Sequence, residues 1–179
     1  RKIMPENNVL MPYNLDAEQS VLGSILIDQA CMSEAAARLS SDNFYLPEHK
    51  NIFSSMLTMF ATEGSAIDVI TVADSLEKSG FTGQMGAREY ILHLAQSVPS
   101  TANLSQYITI IKEQYYLREM IKLSQYLIEN ASASGANAKM LLENAEQRLY
   151  DLRGGVDRKG VKQLKEVILS VYDKLHLLN

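Results

Sequence analysis

Apolar residues recur at intervals of three and four positions from Leu15 to Leu178, a spacing that predicts helices along nearly the whole chain. The run Val-Ile-Thr-Val at 69–72 would also fit a strand. We favour a helix there, because Asp68 and Thr71 supply N-terminal capping groups and a lone short strand would find no partner strand elsewhere in the chain. The predicted fold class is therefore all-α.

Capping residues and prolines mark where the predicted helices begin. Asn14 can cap the first helix, Pro47 suits the first turn of the third, and Asn137 can cap the last helix of a hairpin. Asn103 with Gln106 fits a capping box at the start of the longest helix. Gly64 is placed to end the third helix in a left-handed conformation.

The order of these elements predicts a compact helical head, a long antiparallel helical hairpin and a separate C-terminal helix. The hairpin follows from two long helices joined by a short polar turn at 132–137, since such helices must return antiparallel. The predicted boundaries are a flexible N-terminal arm at 1–13, the head at 14–99, the hairpin at 100–153, a glycine-rich basic linker at 154–160 and a linker helix at 161–179.

The linker helix carries a narrow apolar seam on an otherwise charged surface. Its spacings alternate between three and four, as in a coiled coil, and a stripe this narrow fits a groove on a partner better than the middle of a core. The seam consists of Val161, Leu164, Ile168, Val171, Leu175 and Leu178.

Charge and cysteine content narrow the classes of function. A net charge of −4 is the wrong sign for a chain that grips nucleic acid unaided. If the chain were a helix-turn-helix protein, residues 69–79 would form its recognition helix. That helix carries one basic residue, Lys78, and two acidic residues, Asp74 and Glu77. That reading and another helical adaptor or loader-type protein remain the alternatives.

The single cysteine, Cys31, suits a reducing compartment, no membrane span or signal peptide is visible, and we expect a cytoplasmic protein.

The sequence contains no pattern of residues typical of a catalytic or metal-binding site. The glycines around Gly80 lack the lysine of a phosphate loop, and His49, His93 and His176 lie on separate predicted helices without a second ligand at metal-binding spacing. We interpret His49 as a surface or turn-packing residue and Glu18 as a first-turn acid that favours the start of its helix. We therefore predict no catalytic, cofactor-binding or metal-binding residues and no cofactor in this chain.

Five segments stand in order along the chain: NLDAEQSVLGSILID (14–28), DNFYLPEHKNIF (42–53), IDVITVADSL (67–76), MGAREYILHLA (85–95) and VPSTANLSQYITII (98–111). Taken together, they resemble the N-terminal domain of bacterial replicative DNA helicases of the DnaB type. The 161–173 segment VKQLKEVILSVYD is similar to the linker helix that precedes the ATPase domain in that family. Met85 stands where the family usually has a glycine, and Glu119 where a basic residue is common.

The resemblance implies an assembly role in DNA replication. In the family, hairpins pair between subunits, the dimers close into a threefold collar on a hexameric motor ring, and the collar docks the C-terminal domain of primase. The linker helix packs on the motor domain of a neighbouring subunit. We expect the ATP- and Mg²⁺-dependent motor to belong to a longer parent protein, a DNA helicase that meets DNA only as the full ring. This fragment would itself be non-catalytic.

Site residues are also assigned from the resemblance. By position in the matched motifs, Tyr90, Ile121 and Leu127 are expected to face primase. On the return helix, the residues expected to pair hairpins are Leu141, Leu142, Ala145 and Leu149.

Overall fold

A computed structural model of the chain describes residues 9–62, 64–81, 85–98 and 100–154. Within those ranges every regular element is helical and no strand occurs, so the all-α prediction is confirmed. Most of the predicted arm, all of the linker after Gly154 and the whole seam of the linker helix lie outside the described residues.

The helices fall close to the predicted positions. Two short 3₁₀ turns, Ser41–Asn43 and Thr101–Asn103, precede α3 and α6 respectively. The helices are α1 (Leu15–Ile27), α2 (Cys31–Arg38), α3 (Pro47–Ala61), α4 (Val69–Lys78), α5 (Ala87–Gln96), α6 (Leu104–Ala131) and α7, whose described part is 138–154.

Side chains cap the starts of α1, α4 and α7, whereas α2, α3 and α5 begin without a side-chain cap. The Asn14 side chain accepts from the Ala17 N–H at 2.8 Å, and Asp68 forms a reciprocal capping box with Thr71, which confirms the helix at 69–78. The capping box predicted at Asn103 is wrong. Asn103 already lies in a 3₁₀ turn, and it is the Ser100 hydroxyl that accepts a backbone N–H at the start of that turn.

Two glycines with positive φ mark turns after helices. Gly80, with φ +76°, follows α4, and the Phe81 N–H reaches back to the Leu76 carbonyl at 3.0 Å in a Schellman arrangement. Gly64, with φ +80°, does not end α3 as predicted. The helix already stops at Ala61, and Gly64 serves the loop beyond it.

The chain forms two compact units, one ending at Arg118 and the other beginning at Glu119. In the first unit, α1 packs on α5 and α3, and α4 packs on α3 and α5. The first turns of α6 contribute to the same core. Its fully buried large side chains include Leu22, Ile25, Phe44, Ile52, Phe53, Met56, Leu76, Ile91, Leu94, Ile108 and Ile111.

Gly23 permits the close approach of α1 to α5. A Cβ atom placed there would lie closer than 3.0 Å to the backbone oxygen of Leu94 and to a methyl group of Val98. Because backbone atoms cannot move aside as a flexible side chain can, only glycine fits at this crossing.

The second unit contains the hairpin formed by the end of α6 and α7. Gly135, with φ +86°, lies in the turn, and the Asn137 side chain accepts from the Met140 N–H at 3.1 Å, as predicted for a cap. Tyr126 joins the two helices, because the Asn144 amide donates to its hydroxyl at 3.3 Å. The Arg148 guanidinium also lies 4.1 Å from the centre of its ring.

Candidate docking site around Tyr90

Tyr90 stands on α5 at the edge of the first unit's core, with part of its side chain exposed. Its hydroxyl lies 2.7 Å from Nε2 of His49 on α3. The two rings are nearly parallel, at 13° and 6.0 Å between centres. A partly exposed tyrosine is thus connected to a side chain in the interior.

His49 continues the connection inward to Glu18 on α1. Nδ1 of His49 lies 2.6 Å from a carboxylate oxygen of Glu18, with His49 0% and Glu18 1% exposed. The interpretation of His49 as a surface or turn-packing residue is therefore wrong. Glu18 likewise does more than favour a helix start, because it is the only buried acid among the described residues and its carboxylate accepts hydrogen bonds at both oxygens. Buried polar groups of this kind persist only when they are satisfied.

Glu18 also fixes the segment that leads into α3. One of its oxygens accepts the Tyr45 N–H at 2.6 Å, and the other receives a longer bond from the Leu46 N–H at 3.5 Å. Pro47, the first residue of α3, has no N–H to offer. The carboxylate on α1 thus holds the chain immediately before α3. It thereby fixes the start of the helix that carries His49.

The donors around Glu18 fix the direction of its bond with His49. A carboxylate that faces two backbone N–H groups is an acceptor, so Nδ1 of His49 carries the hydrogen that it shares with Glu18. This hydrogen is assigned from the hydrogen-bond network. A neutral ring accepts the Tyr90 hydroxyl hydrogen at Nε2, and a protonated ring donates to the hydroxyl oxygen.

Two further groups shape the surroundings of the Tyr90 hydroxyl. Burial, above all, raises the pKa of Tyr90, and the negative charges of Glu48 and Glu18 act in the same direction. A hydrogen bond with the Gln19 side chain opposes them by lowering the pKa.

Another buried polar residue, Arg118, anchors α6 in the first unit. It is 5% exposed and donates to the carbonyl oxygens of Pro12 at 2.8 Å and Asn43 at 2.6 Å. Its guanidinium also lies 5.5 Å from the centre of the Tyr45 ring, which in turn stacks on Tyr13 at 4.5 Å. The residues before α1 are therefore held against α6.

Sequence reasoning missed the interior role of Glu18 and His49, although a signal was present. Glu18 shares the helical spacing of Leu22 and Ile25, and His49 shares that of Ile52 and Phe53. A polar residue that keeps the phase of an apolar stripe faces the interior and needs a partner there. Only the partner's identity required the structure.

The other predicted docking residues belong to the second unit. Ile121 and Leu127 are partly exposed on α6, whereas Tyr90 belongs to the first unit. On α7, Leu141 and Ala145 are also partly exposed. Leu142 at 65% and Leu149 at 48% present apolar surface to solvent. Their assigned roles in primase docking and hairpin pairing stay predictions.

Among the described residues there is neither a candidate metal site nor a candidate membrane span. No group of three or more histidine, cysteine, aspartate or glutamate side chains in these ranges could hold a metal ion. None of the helices that the structure describes is long and apolar enough to cross a membrane.

Comparison with known families gives a match over most of the first unit. The sequence profile of a family described as the DnaB-like helicase N-terminal domain matches residues 10–113. The replicative DNA helicase DnaC of Bacillus subtilis is 28% identical over 173 residues, which is 97% of this chain and 38% of that protein. The replicative DNA helicase DnaB of Mycobacterium leprae is 32% identical over 143 residues, 79% of this chain and 24% of that protein. The chain thus spans less than two fifths of these relatives.

Solved structures agree with the family match. The crystal structure of the N-terminal domain of DnaB helicase from Mycobacterium tuberculosis aligns with a TM-score of 0.71 and 30% identity, covering 79% of this chain and 99% of that one. A structure described as a DnaB-like replicative helicase and its interactions with primase aligns with a TM-score of 0.61 and 25% identity, covering 91% of this chain and 35% of that one.

Proposed function

Because the chain belongs to the family of DnaB-like helicase N-terminal domains, we propose that it forms the collar of a replicative DNA helicase and docks primase there. The observation that carries the proposal is the family match over residues 10–113, joined to a structural alignment that covers 99% of a DnaB N-terminal domain. A structural relative at 25% identity is described together with its interactions with primase, which supports primase as the partner.

The geometry around Tyr90 suits a docking site. Its ring is partly exposed while its hydroxyl is held by His49, so the side chain is fixed before a partner arrives. A side chain that is already ordered loses less conformational entropy on binding, and tyrosine offers both contact area and a polar group. We propose Tyr90 for the primase contact from the first unit and Ile121 and Leu127 from the second.

Primase docking is tested by titration calorimetry with the C-terminal domain of primase. Tyr90→Ala should weaken binding about tenfold or more, as expected for an aromatic contact of this kind. The matched control is Ile70→Ala, which removes an apolar side chain that is 68% exposed on α4. Thermal unfolding of both variants shows whether a loss of affinity comes from the missing contact or from an unfolded protein. Equal affinity of Tyr90→Ala and the unchanged chain would remove Tyr90 from the site.

Collar assembly is proposed to use the exposed apolar face of α7. Leu142 and Leu149 stand seven residues apart, which places them on one side of a helix, and Leu141 and Ala145 flank them. We propose that this face pairs with a second copy and that three such dimers build the hexamer. Sedimentation should show dimers or larger species that Leu142→Asp dissociates. A strict monomer at tens of micromolar for the unchanged chain would contradict the pairing.

The remaining parts of the function belong to the longer protein proposed as the parent. There the linker helix would pack on a neighbouring motor domain that binds ATP and Mg²⁺ and unwinds DNA in the cytoplasm. A phosphate loop in a motor domain of that protein would support this assignment.

Helix-turn-helix DNA binding is the less favoured function. The cation of the candidate recognition helix, Lys78, is paired with Asp74 on the same helix. Asp74 and Glu77 outnumber Lys78 on this helix, so the helix presents a net negative charge to a phosphate backbone.

A further inference from the structure

Tyr90 points the hydroxyl end of its ring toward the interior of the first unit. The hydroxyl oxygen is 2.7 Å from Nε2 of His49, while the centres of the two nearly parallel rings are 6.0 Å apart. The hydroxyl therefore lies between the two rings, and its bond to His49 reaches a side chain that is 0% exposed. Whichever of the two atoms carries the hydrogen, this bond holds the phenol in one direction.

The ring of Tyr90 lies beside an exposed imidazole. His93 stands one turn further along α5 and is exposed, and its ring centre is 6.3 Å from that of Tyr90 with 28° between the planes. Tyr90 itself is partly exposed. Because its hydroxyl is bonded inward, the ring is the part of Tyr90 that a partner can contact, and an aromatic ring suits an apolar or aromatic side chain.

His49 is itself held from its other side. Nδ1 of His49 lies 2.6 Å from a carboxylate oxygen of Glu18, which is 1% exposed. The same carboxylate accepts the Tyr45 N–H at 2.6 Å, so it is fixed in turn by the segment before α3. An imidazole that is bonded at both nitrogens cannot rotate without breaking one of the two bonds. Glu18 therefore acts on Tyr90 through His49.

We propose that Glu18 and His49 are positioning residues for partner docking at Tyr90. They hold the phenol in the orientation that the partner meets, so that the ring makes the contact and the hydroxyl contributes through His49. A side chain that is ordered in advance improves affinity by about threefold to tenfold, because less conformational entropy is lost on binding. The inference rests on the proposed function for the identity of the partner, but the holding of Tyr90 is a property of this chain alone.

The holding of Tyr90 is tested on this chain alone by NMR couplings that report its χ1 torsion. Tyr90 should occupy one rotamer in the unchanged chain and several in His49→Leu and in Glu18→Leu, which each replace a hydrogen-bonding side chain by an apolar one. Asp68→Ala is the control, because it weakens the cap of α4 and leaves the three bonded residues unchanged. A single rotamer in both leucine variants would overturn the proposal.

The amide spectrum shows whether each leucine variant is folded. Where one is not, Tyr90→Phe makes the same test, because it removes the hydroxyl and leaves Glu18 and His49 in place. The phenylalanine ring should then occupy several χ1 rotamers. A ring that keeps the single rotamer of the unchanged chain would show that the bond to His49 does not position it, and would overturn the proposal.

Primase shows how the hydroxyl contributes to docking. Tyr90→Phe should lower the affinity for the C-terminal domain of primase about threefold, and Tyr90→Ala should lower it further, because alanine also removes the ring. In a His49→Leu background, Tyr90→Phe should cause no further loss, since the bond that positions the ring is already gone. Equal losses in both backgrounds would overturn the proposal, because the hydroxyl would then contact the partner directly.

Failure of this inference and failure of the proposed function give different results. If the unchanged chain does not bind the C-terminal domain of primase, the proposed function fails, and the rotamer measurement still decides whether Glu18 and His49 hold Tyr90. If primase binds but neither Tyr90→Phe nor His49→Leu changes its affinity, the proposed function stands and the positioning role is overturned.

Discussion

Glu18 on α1 and His49 on α3 meet inside the first unit, with 2.6 Å between a carboxylate oxygen and Nδ1 and almost no solvent exposure of either. They are separated by thirty-one residues in the sequence. The pair joins two helices and the loop between them, since the same carboxylate also accepts the Tyr45 N–H. Removing either side chain should therefore disturb both helices and the segment that leads into α3.

We expect Glu18→Ala to lower the free energy of unfolding by about 3 kcal/mol, the order of cost of leaving buried donors without an acceptor. The physical reason is that Nδ1 of His49 and the Tyr45 N–H would both be left buried without an acceptor. Urea denaturation measures the change. A double-mutant cycle with His49→Ala should show that the two losses do not add, because each variant already breaks the same bond. Simple additivity would mean that the two side chains act independently.

Arg118→Lys should destabilise the first unit by about 1–3 kcal/mol despite the retained charge. An ammonium group cannot reproduce the planar fork that serves the Pro12 and Asn43 carbonyls and lies against Tyr45. Thermal unfolding checks the loss. Arg88→Lys is the control, because Arg88 is exposed on α5 and its replacement should change little. Equal melting temperatures for the two variants would contradict the anchoring role.

Gly23→Ala should destabilise the chain by about 1–3 kcal/mol, the range for overpacked positions. The added methyl would meet the Leu94 carbonyl and the Val98 side chain and push α1 away from α5. Gly154→Ala provides the contrast, since nothing lies within 4 Å of the new methyl and alanine favours a helix. Denaturant midpoints should fall for the first variant and stay equal or rise for the second. The reverse order would rule out a close α1–α5 crossing.

Asp68→Ala should destabilise the protein by about 1 kcal/mol at neutral pH, as for other N-caps. Hydrogen bonds, chiefly from the Thr71 N–H, hold the pKa of Asp68 below its ordinary value of 3.8. Because the pKa is lower in the folded state, the ionised cap stabilises the fold above that ordinary value. This contribution is lost as the pH falls through the folded-state pKa.

The measurement for Asp68 is urea denaturation at neutral pH and again at a pH of about 3, below the ordinary pKa of a carboxyl group. The difference between Asp68→Ala and the unchanged chain should narrow at the acidic pH. Asp68→Asn is the control, since it keeps a capping oxygen that does not titrate. A difference that widens on acidification would show that the charge of Asp68 does not stabilise α4.

The sequence by itself determined the helices and most of their starts. Asn14, Asp68 and Asn137 each cap a helix through a backbone N–H two or three residues away, and such interactions are complete within one turn. The three-and-four spacing of apolar residues likewise identified the buried faces of α1 and α3. The failures at Asn103 and Gly64 are small, because Ser100 provides a competing start and Thr62 a competing stop only a few residues away.

The tertiary structure decided what the polar residues on those buried faces do. The phase of Glu18 and His49 in their apolar stripes could have placed both in the interior, but not opposite each other or next to Tyr90 on α5. The same holds for Arg118 and the Pro12 carbonyl, which are separated by 106 residues. Periodicity records which side of a helix faces inward. Which groups meet there depends on how the helices cross, and close packing at positions such as Gly23 sets that crossing.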